Sequence, residues 1–335
     1  MNISKGWQKD YPNTEEITEE FLGDNNSLKK MLHLIGRDKE VVDFGCATGY
    51  FSNLIQRNGC IVTGVEINSD AAKVAEKYCQ HVIVADLDFV SIPEILPDRK
   101  FDVAVFGDIL EHLRNPWKIL EETKQILRED GYVVASIPNI AHAAIRLSLL
   151  QGRFDYTDLG ILDNTHIRFF TRKTVKELFE RAGYSADIVD CTKLDCFSES
   201  HLIPQNNRGE FDVDTIKKIE EDKDCNTLQF IIRSHPCSRS QLQYNKTVQS
   251  QLQQTQSELE QSQSQLQQTQ SKLEQSQSQF QQIQSELERS QSQFQQIQSE
   301  LERSQSQFQQ IQSELERSQS QFQQIQSELE RSQSQ

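Results

Sequence analysis

The stretch Asp43-Phe-Gly45-Cys-Ala47-Thr-Gly49-Tyr-Phe51 decides how the chain is read. Just before it, Val41-Val-Asp-Phe44 is a run suited to a buried strand; after it, Tyr50 to about Arg57 has the spacing of a helix. Glycines between a strand and a helix let the backbone turn sharply and approach a ligand, and the helix start offers N–H groups. A pyrophosphate-binding turn needs G-x-G-x-x-G. This turn is G-x-A-x-G with an acid, Asp43, on the strand before it. That acid repels a pyrophosphate and suits a ligand carrying positive charge.

Outward from the turn, short apolar runs alternate with amphipathic segments. Cys60–Ile67, His81–Ala85, Phe101–Phe106 and Tyr132–Ile137 read as further strands. Helices are expected from Asp70 to about Tyr78 and from about Pro116 to Leu127. Asn115 caps the second of these with Pro116 at its first position, and Asp130-Gly131 reads as the turn into the next strand. Apolar strands separated by helices imply a parallel sheet covered on both faces. Further on, 141–150 and 172–182 read as helices, the second closed by Gly183. Ala186–Val189 and Leu228–Ile232 are strand-like. The last can lie antiparallel, because no crossover of the usual length leads to it. Before Glu40 an amphipathic stretch places Ile17, Phe21, Leu28, Met31, Leu32 and Ile35 at helical spacing, interrupted at 23–26.

Two acids match the first in position. Glu66, at the end of the second strand, can accept hydrogen bonds from both hydroxyls of a ribose. Asp86, after the third, can accept one from an adenine amino group. Three carboxylates at successive strand ends line the crevice where ligands bind in such sheets.

These features resemble the class I S-adenosylmethionine-dependent methyltransferases over roughly residues 30–235. Asp43–Gly49 is similar to the family's first motif, with Ala47 where Gly is commoner. Val65-Glu66-Ile67 and Ala85-Asp86-Leu87 are similar to its ribose- and adenine-binding strand ends. Phe101–Asp108, followed by Glu111-His112 and Asn115-Pro116, is similar to its fourth strand and loop. The resemblance implies an α/β, Rossmann-like sheet of seven strands with the last antiparallel. It implies S-adenosyl-L-methionine as cofactor, held by Asp43, Gly45, Ala47, Gly49, Glu66, Ile67, Asp86, Leu87 and Asp108.

Aligning a nucleophile with a sulfonium methyl in a dry pocket is the main task of such an enzyme, and a base helps when the nucleophile is a hydroxyl. His112 is the leading catalytic candidate and His166 the second. Asp108-Ile-Leu-Glu111-His112 is similar to the acid-x-x-Glu-His segment of ubiquinone-type O-methyltransferases, which has been linked to a divalent metal. Asp108, Glu111 and His112 can thus be read as metal ligands, as base machinery, or as residues that merely begin a helix. Pro138-Asn139-Ile-Ala-His142, with Arg146, and Thr165-His166-Ile-Arg168 resemble segments of bacterial methyltransferases of glycan assembly. They make Asn139, His142, Arg146 and Arg168 candidates for acceptor binding, or the arginines simple partners of nearby acids. The expected reaction is O-methylation of a small molecule or a sugar or glycan precursor. The competing reading is a catalytically inactive fold acting as a scaffold for assembly.

The remainder of the chain is a different polymer. Of the formal charge of −15, residues 241–335 carry eleven Asp/Glu and six Lys/Arg, hence −5, which leaves −10 for residues 1–240. An acidic first part argues against nucleic acid as partner. No run reaches the ~18 apolar residues of a membrane span, and the first ten residues lack the apolar core of a signal peptide. Seven Cys without a C-x-x-C pair favour reduced thiols and a cytoplasmic setting. The tail repeats Gln-Ser-Gln-Phe-Gln-Gln-Ile-Gln-Ser-Glu-Leu-Glu-Arg-Ser four times, from Gln277, Gln291, Gln305 and Gln319, after two looser copies. Fourteen residues are two heptads, giving Leu or Phe at every a position and Ile or Ser alternating at d. The segment is expected to be a coiled coil joining copies or partners, or else a disordered Gln/Ser spacer. The expected organisation is an N-terminal segment over 1–29, a catalytic domain over 30–237 and the tail over 238–335.

Overall fold

A computed structural model describes residues 18–20 and 22–333. Ile17 and Phe21 of the amphipathic stretch, most of the 1–29 segment and the last two tail residues lie outside the described residues. The chain divides into two compact units, residues 1–247 and 248–335.

In chain order the elements of the first unit are α1 (Ser27–Ile35), β1 (Glu40–Phe44), α2 (Tyr50–Arg57), β2 (Ile61–Glu66), α3 (Ser69–Ala75), β3 (His81–Val84), α4 (Ile92–Ile95) and β4 (Phe101–Gly107). Then follow α5 (Pro116–Thr123), β5 (Leu127–Pro138), α6 (Ala143–Leu150), α7 (Arg172–Arg181), β6 (Asp187–Lys193), α8 (Val213–Glu220) and β7 (Thr227–Ser234). The helix α9 (Arg239–Gln333) contains the whole repeat.

The strands form one seven-stranded sheet in the order β3-β2-β1-β4-β5-β7-β6. β1 to β5 are parallel, and β7 runs antiparallel to both β5 and β6. Successive strand residues face opposite sides, so each parallel strand feeds two cores. Val42, Phe44, Ala104 and Phe106 pack on one face with α5 and α7. Val41, Val103 and Val105 pack on the other with Met31, Leu32 and Ile35 of α1 and Phe51, Leu54 and Ile55 of α2. Phe44 and Phe106 stack with ring centres 4.7 Å apart, locking the two central strands together. A third apolar cluster joins α6 to Ile161, Leu162, Ile203 and Ile219, and so supports the loops above the sheet.

The expected seven strands with an antiparallel last strand are present, and local differences have physical causes. The helix expected to reach Leu127 ends at Thr123, and Leu127 already pairs with Phe101. The pairing then jumps to Val103 with Tyr132, so Asp130-Gly131 lies in a bulge of one long strand and not in a turn between elements. Gly131 suits this place because a Cβ there would lie 3.0 Å from the backbone of both Arg128 and Phe101. The helix expected to run to Tyr78 stops at Ala75. Helix α8 was not expected; Asp212 caps it by accepting from the Thr215 amide at 2.8 Å, and Ile216 and Ile219 bury its inner face.

Candidate active site

The turn between β1 and α2 forces Gly45, Ala47 and Gly49 into positive φ, at 72°, 51° and 78°. Only Gly adopts this region without penalty. Ala47 is held there by a neighbour: Glu66 Oε2 accepts its amide at 2.9 Å, while Oε1 accepts the Asn68 amide at 2.8 Å. The Gly45 and Cys46 amides close the turn onto the Val65 carbonyl. A Cβ at Gly49 would sit 3.0 Å from the Ala75 backbone, so this glycine lets α2 and α3 approach.

Gly45, Ala47, Glu66, Ile67, Asp86, Leu87 and Asp108 all line one cavity of about 710 Å³ at the carboxyl ends of the parallel strands. Asp86 Oδ1 also accepts the Asp88 amide at 3.0 Å, which orients the carboxylate at the strand end. Asp108 has φ 53° and is fixed by Ser136, whose hydroxyl donates at 2.8 Å, and by Gln229, whose amide donates at 2.8 Å to each oxygen.

Asp43 and Gly49 are not among the lining residues. Asp43 is buried behind the turn and accepts from the Ser52 hydroxyl at 2.7 Å. Burial raises its carboxyl to about 7 against the lowering effect of Ser52, with the nearby Glu66 charge adding to the rise. The expectation that all three acids face one ligand therefore changes. Asp43 braces the turn onto α2, and Glu66 and Asp86 face the space.

The opposite wall comes from a short 3-10 turn, Leu110–His112, and the loop of residues 157–168. The Glu111 carbonyl accepts the amides of Ile167 and Arg168, clamping loop to turn. His112 Nδ1 lies 3.1 Å from both the Thr165 carbonyl and the Thr165 hydroxyl, and that hydroxyl donates to Asp163 at 2.5 Å. A carbonyl only accepts, so Nδ1 carries the proton and Nε2 is the acceptor of the ring. His166 donates from Nδ1 to the Ile161 carbonyl at 3.0 Å, and its Nε2 lies 3.8 Å from Glu111 Oε1. The two imidazole centres are 4.7 Å apart. One ligand atom from each of Glu111, His112 and His166 lies within 4.8 Å of the others, a group able to hold a metal ion. Asp108, expected in such a group, is instead tied to Ser136 and Gln229.

None of Asn139, His142, Arg146 and Arg168 lines the cavity. Asn139 is fully buried and donates to the carbonyls of Asp224 and Thr227. His142 caps α6, accepting the Ala144 amide and donating to the Leu194 carbonyl, and burial lowers its imidazole pKa. Arg146 pairs with Asp222 at 3.0 Å. Arg168 donates to the Arg114 carbonyl and lies over the Trp117 ring at 4.9 Å. The structure thus gives all four internal partners that support the loops around the site.

Several lining residues escaped the sequence reading, among them Gly160, Leu202 and Gln229. Gln229 had a signal, as a polar residue inside the apolar run Leu228–Ile232. The loop residues had none, because a stretch without periodicity does not say which residues will face a distant strand.

A family model described as a methyltransferase domain matches residues 17–187. A ubiquinone biosynthesis O-methyltransferase of Glaesserella parasuis serovar 5 is 32% identical over 124 residues, covering 35% of this chain and 52% of its own length. The enzyme of the same name from Pasteurella multocida is 32% identical over 128 residues, covering 35% and 53%. The chain spans about half the length of these curated relatives. Among solved structures, a possible histamine N-methyltransferase from Thermotoga maritima superposes with a TM-score of 0.43 at 18% identity, over 62% of this chain and 86% of its own.

Proposed function

Because this chain belongs to the methyltransferase domain family, we propose that it moves the methyl group of S-adenosylmethionine to an oxygen of a small molecule or sugar precursor. One observation carries the reading: a single cavity has ribose- and adenine-suited acids on one wall and a histidine with an oriented ring on the other. The residues fit the donor chemically. A turn with three left-handed residues leaves room for close approach, and Glu66 and Asp86 line the cavity as acceptors suited to hydroxyl and amino groups. Ile67 and Leu87 line the cavity beside them and offer apolar cover to a flat base. The donor supplies a methyl already attached to a good leaving group.

The chain's own part is then to position the acceptor and take its proton. With Nδ1 held by Thr165, His112 presents Nε2 as the general base. Glu111 and His166 stand beside it and stabilise the positive charge that His112 gains. Oxygen as the methylated atom is supported by the two relatives' being O-methyltransferases.

A second reading rests on the closeness of Glu111, His112 and His166: together they would hold a divalent cation, which would supply Lewis acidity to an acceptor hydroxyl. The decisive test is transfer of radiolabelled methyl groups into a panel of phenolic and sugar acceptors, together with calorimetry of S-adenosylhomocysteine binding. A chain that does not bind S-adenosylhomocysteine refutes the assignment, and one that binds it without turnover on any acceptor favours a scaffold.

A further inference from the structure

Along α9 the large apolar side chains stand exposed at heptad spacing. Phe280, Ile283 and Leu287 are 68%, 64% and 57% exposed, and the values recur in each later unit. From Leu252 to Ile325 this stripe is on the order of 110 Å long, far beyond the apolar patches that soluble surfaces leave bare. We propose that the stripe docks a second copy of the same chain, laid parallel and in register.

The pattern selects this occupant and this orientation. Parallel pairing sets a on a and d on d, so each Phe, Leu and Ile meets its own counterpart and Ser meets Ser. Antiparallel pairing sets a against d, and every second Leu or Phe then meets a Ser. The flanking positions agree. Every e position from Gln256 to Gln326 is Gln, while g alternates Gln with Glu from Gln279 onward. In a parallel pair g lies beside e of the next heptad, so Glu286 meets Gln291, an amide donor for a carboxylate with no like-charge contact. The polar seam residues are prepared for burial as well. Thr255, Ser262 and Thr269, all at d, donate to the carbonyl four residues back at 3.0, 2.9 and 2.9 Å, so closing the seam strands no hydroxyl there.

Register follows from the same pattern. A slip of seven residues places Ile on Ser at each d layer from Ile283 onward. A slip of fourteen matches identical units but sets Ile283 against Thr269 and leaves one unit of stripe bare at each end. The two looser copies therefore key the register that the four identical ones would leave degenerate.

The test uses the full-length chain. Light scattering should give twice the 38.7 kDa chain mass, and I283S/I297S/I311S should return it to one. Ser290→Cys should form linked pairs on mild oxidation that the natural cysteines do not form. When differently tagged Ser290→Cys and Ser304→Cys chains are mixed, links should join like to like. A mass of one chain, a paired mass that survives the triple substitution, or preferential linking of position 290 to 304 would each overturn the proposal.

Discussion

Replacing Glu66 by Ala tests both the fold of the turn and its use. Glu66 is 5% exposed, and its carboxylate accepts two backbone amides, from Ala47 and Asn68, at 2.9 and 2.8 Å. A hydrogen bond to a charged acceptor contributes about 1.5–3 kcal/mol. Losing both, with water entering from the cavity to serve part of the need, should lower stability by roughly 3 kcal/mol. For a domain of this size that is a fall of roughly 6–12 °C in Tm. The Ala47 amide matters most, because it holds a non-glycine residue at φ 51°. If Glu66 also receives a ribose hydroxyl, cofactor affinity should drop by a further 1.5–3 kcal/mol, roughly 10- to 150-fold in Kd. Calorimetry with S-adenosylhomocysteine and scanning calorimetry of the free protein read the two effects separately. Glu66→Gln keeps one carbonyl acceptor and should lie between Ala and the natural chain in both. An Ala variant with unchanged Tm and Kd within twofold of the natural value would refute the role drawn for this acid.

Three other outcomes are expected. Asp43 has its carboxyl raised to about 7 by burial, so the folded chain holds this proton more tightly than the unfolded one. Its contribution to stability is therefore greatest below pH 4 and declines as pH rises to about 7, by roughly 4 kcal/mol in all; Asp43→Asn should flatten that decline in Tm measured from pH 5 to 8. Gly160→Ala should destabilise the first unit by about 2 kcal/mol or more, because φ is 96° and the new Cβ would lie 2.3 Å from the Leu202 carbonyl oxygen; thermal unfolding reads it. His112→Gln should lower kcat by on the order of 100-fold with little change in cofactor Kd, while exhaustive chelation leaves the natural enzyme active. Activity lost to a chelator and restored by a divalent ion would assign Glu111, His112 and His166 to a metal instead.

What the sequence by itself determined is whatever depends on near neighbours. The parallel strands show as runs such as Val41–Phe44, because a strand covered on both faces must be apolar throughout. The turn shows because Gly45 and Gly49 meet a backbone demand that few residue types can satisfy. The repeat shows because heptad spacing needs no partner to be visible. Tertiary structure decided which of these residues share a space. Asp43 and Glu66 look alike on paper, yet Asp43 is level with Gly64 in the sheet, two residues short of Glu66, and this puts one behind the turn, against Ser52, and the other at the cavity. His112 and His166 are separated by 53 residues and by a loop without periodicity, and the clamp of the Glu111 carbonyl on Ile167 and Arg168, with the bond from His112 to Thr165, brings their rings together. Asn139, His142, Arg146 and Arg168 carry polar groups that could have met a ligand. Burial and nearby carbonyls and carboxylates claimed them first, since a polar group removed from water takes the partner that the fold places within reach.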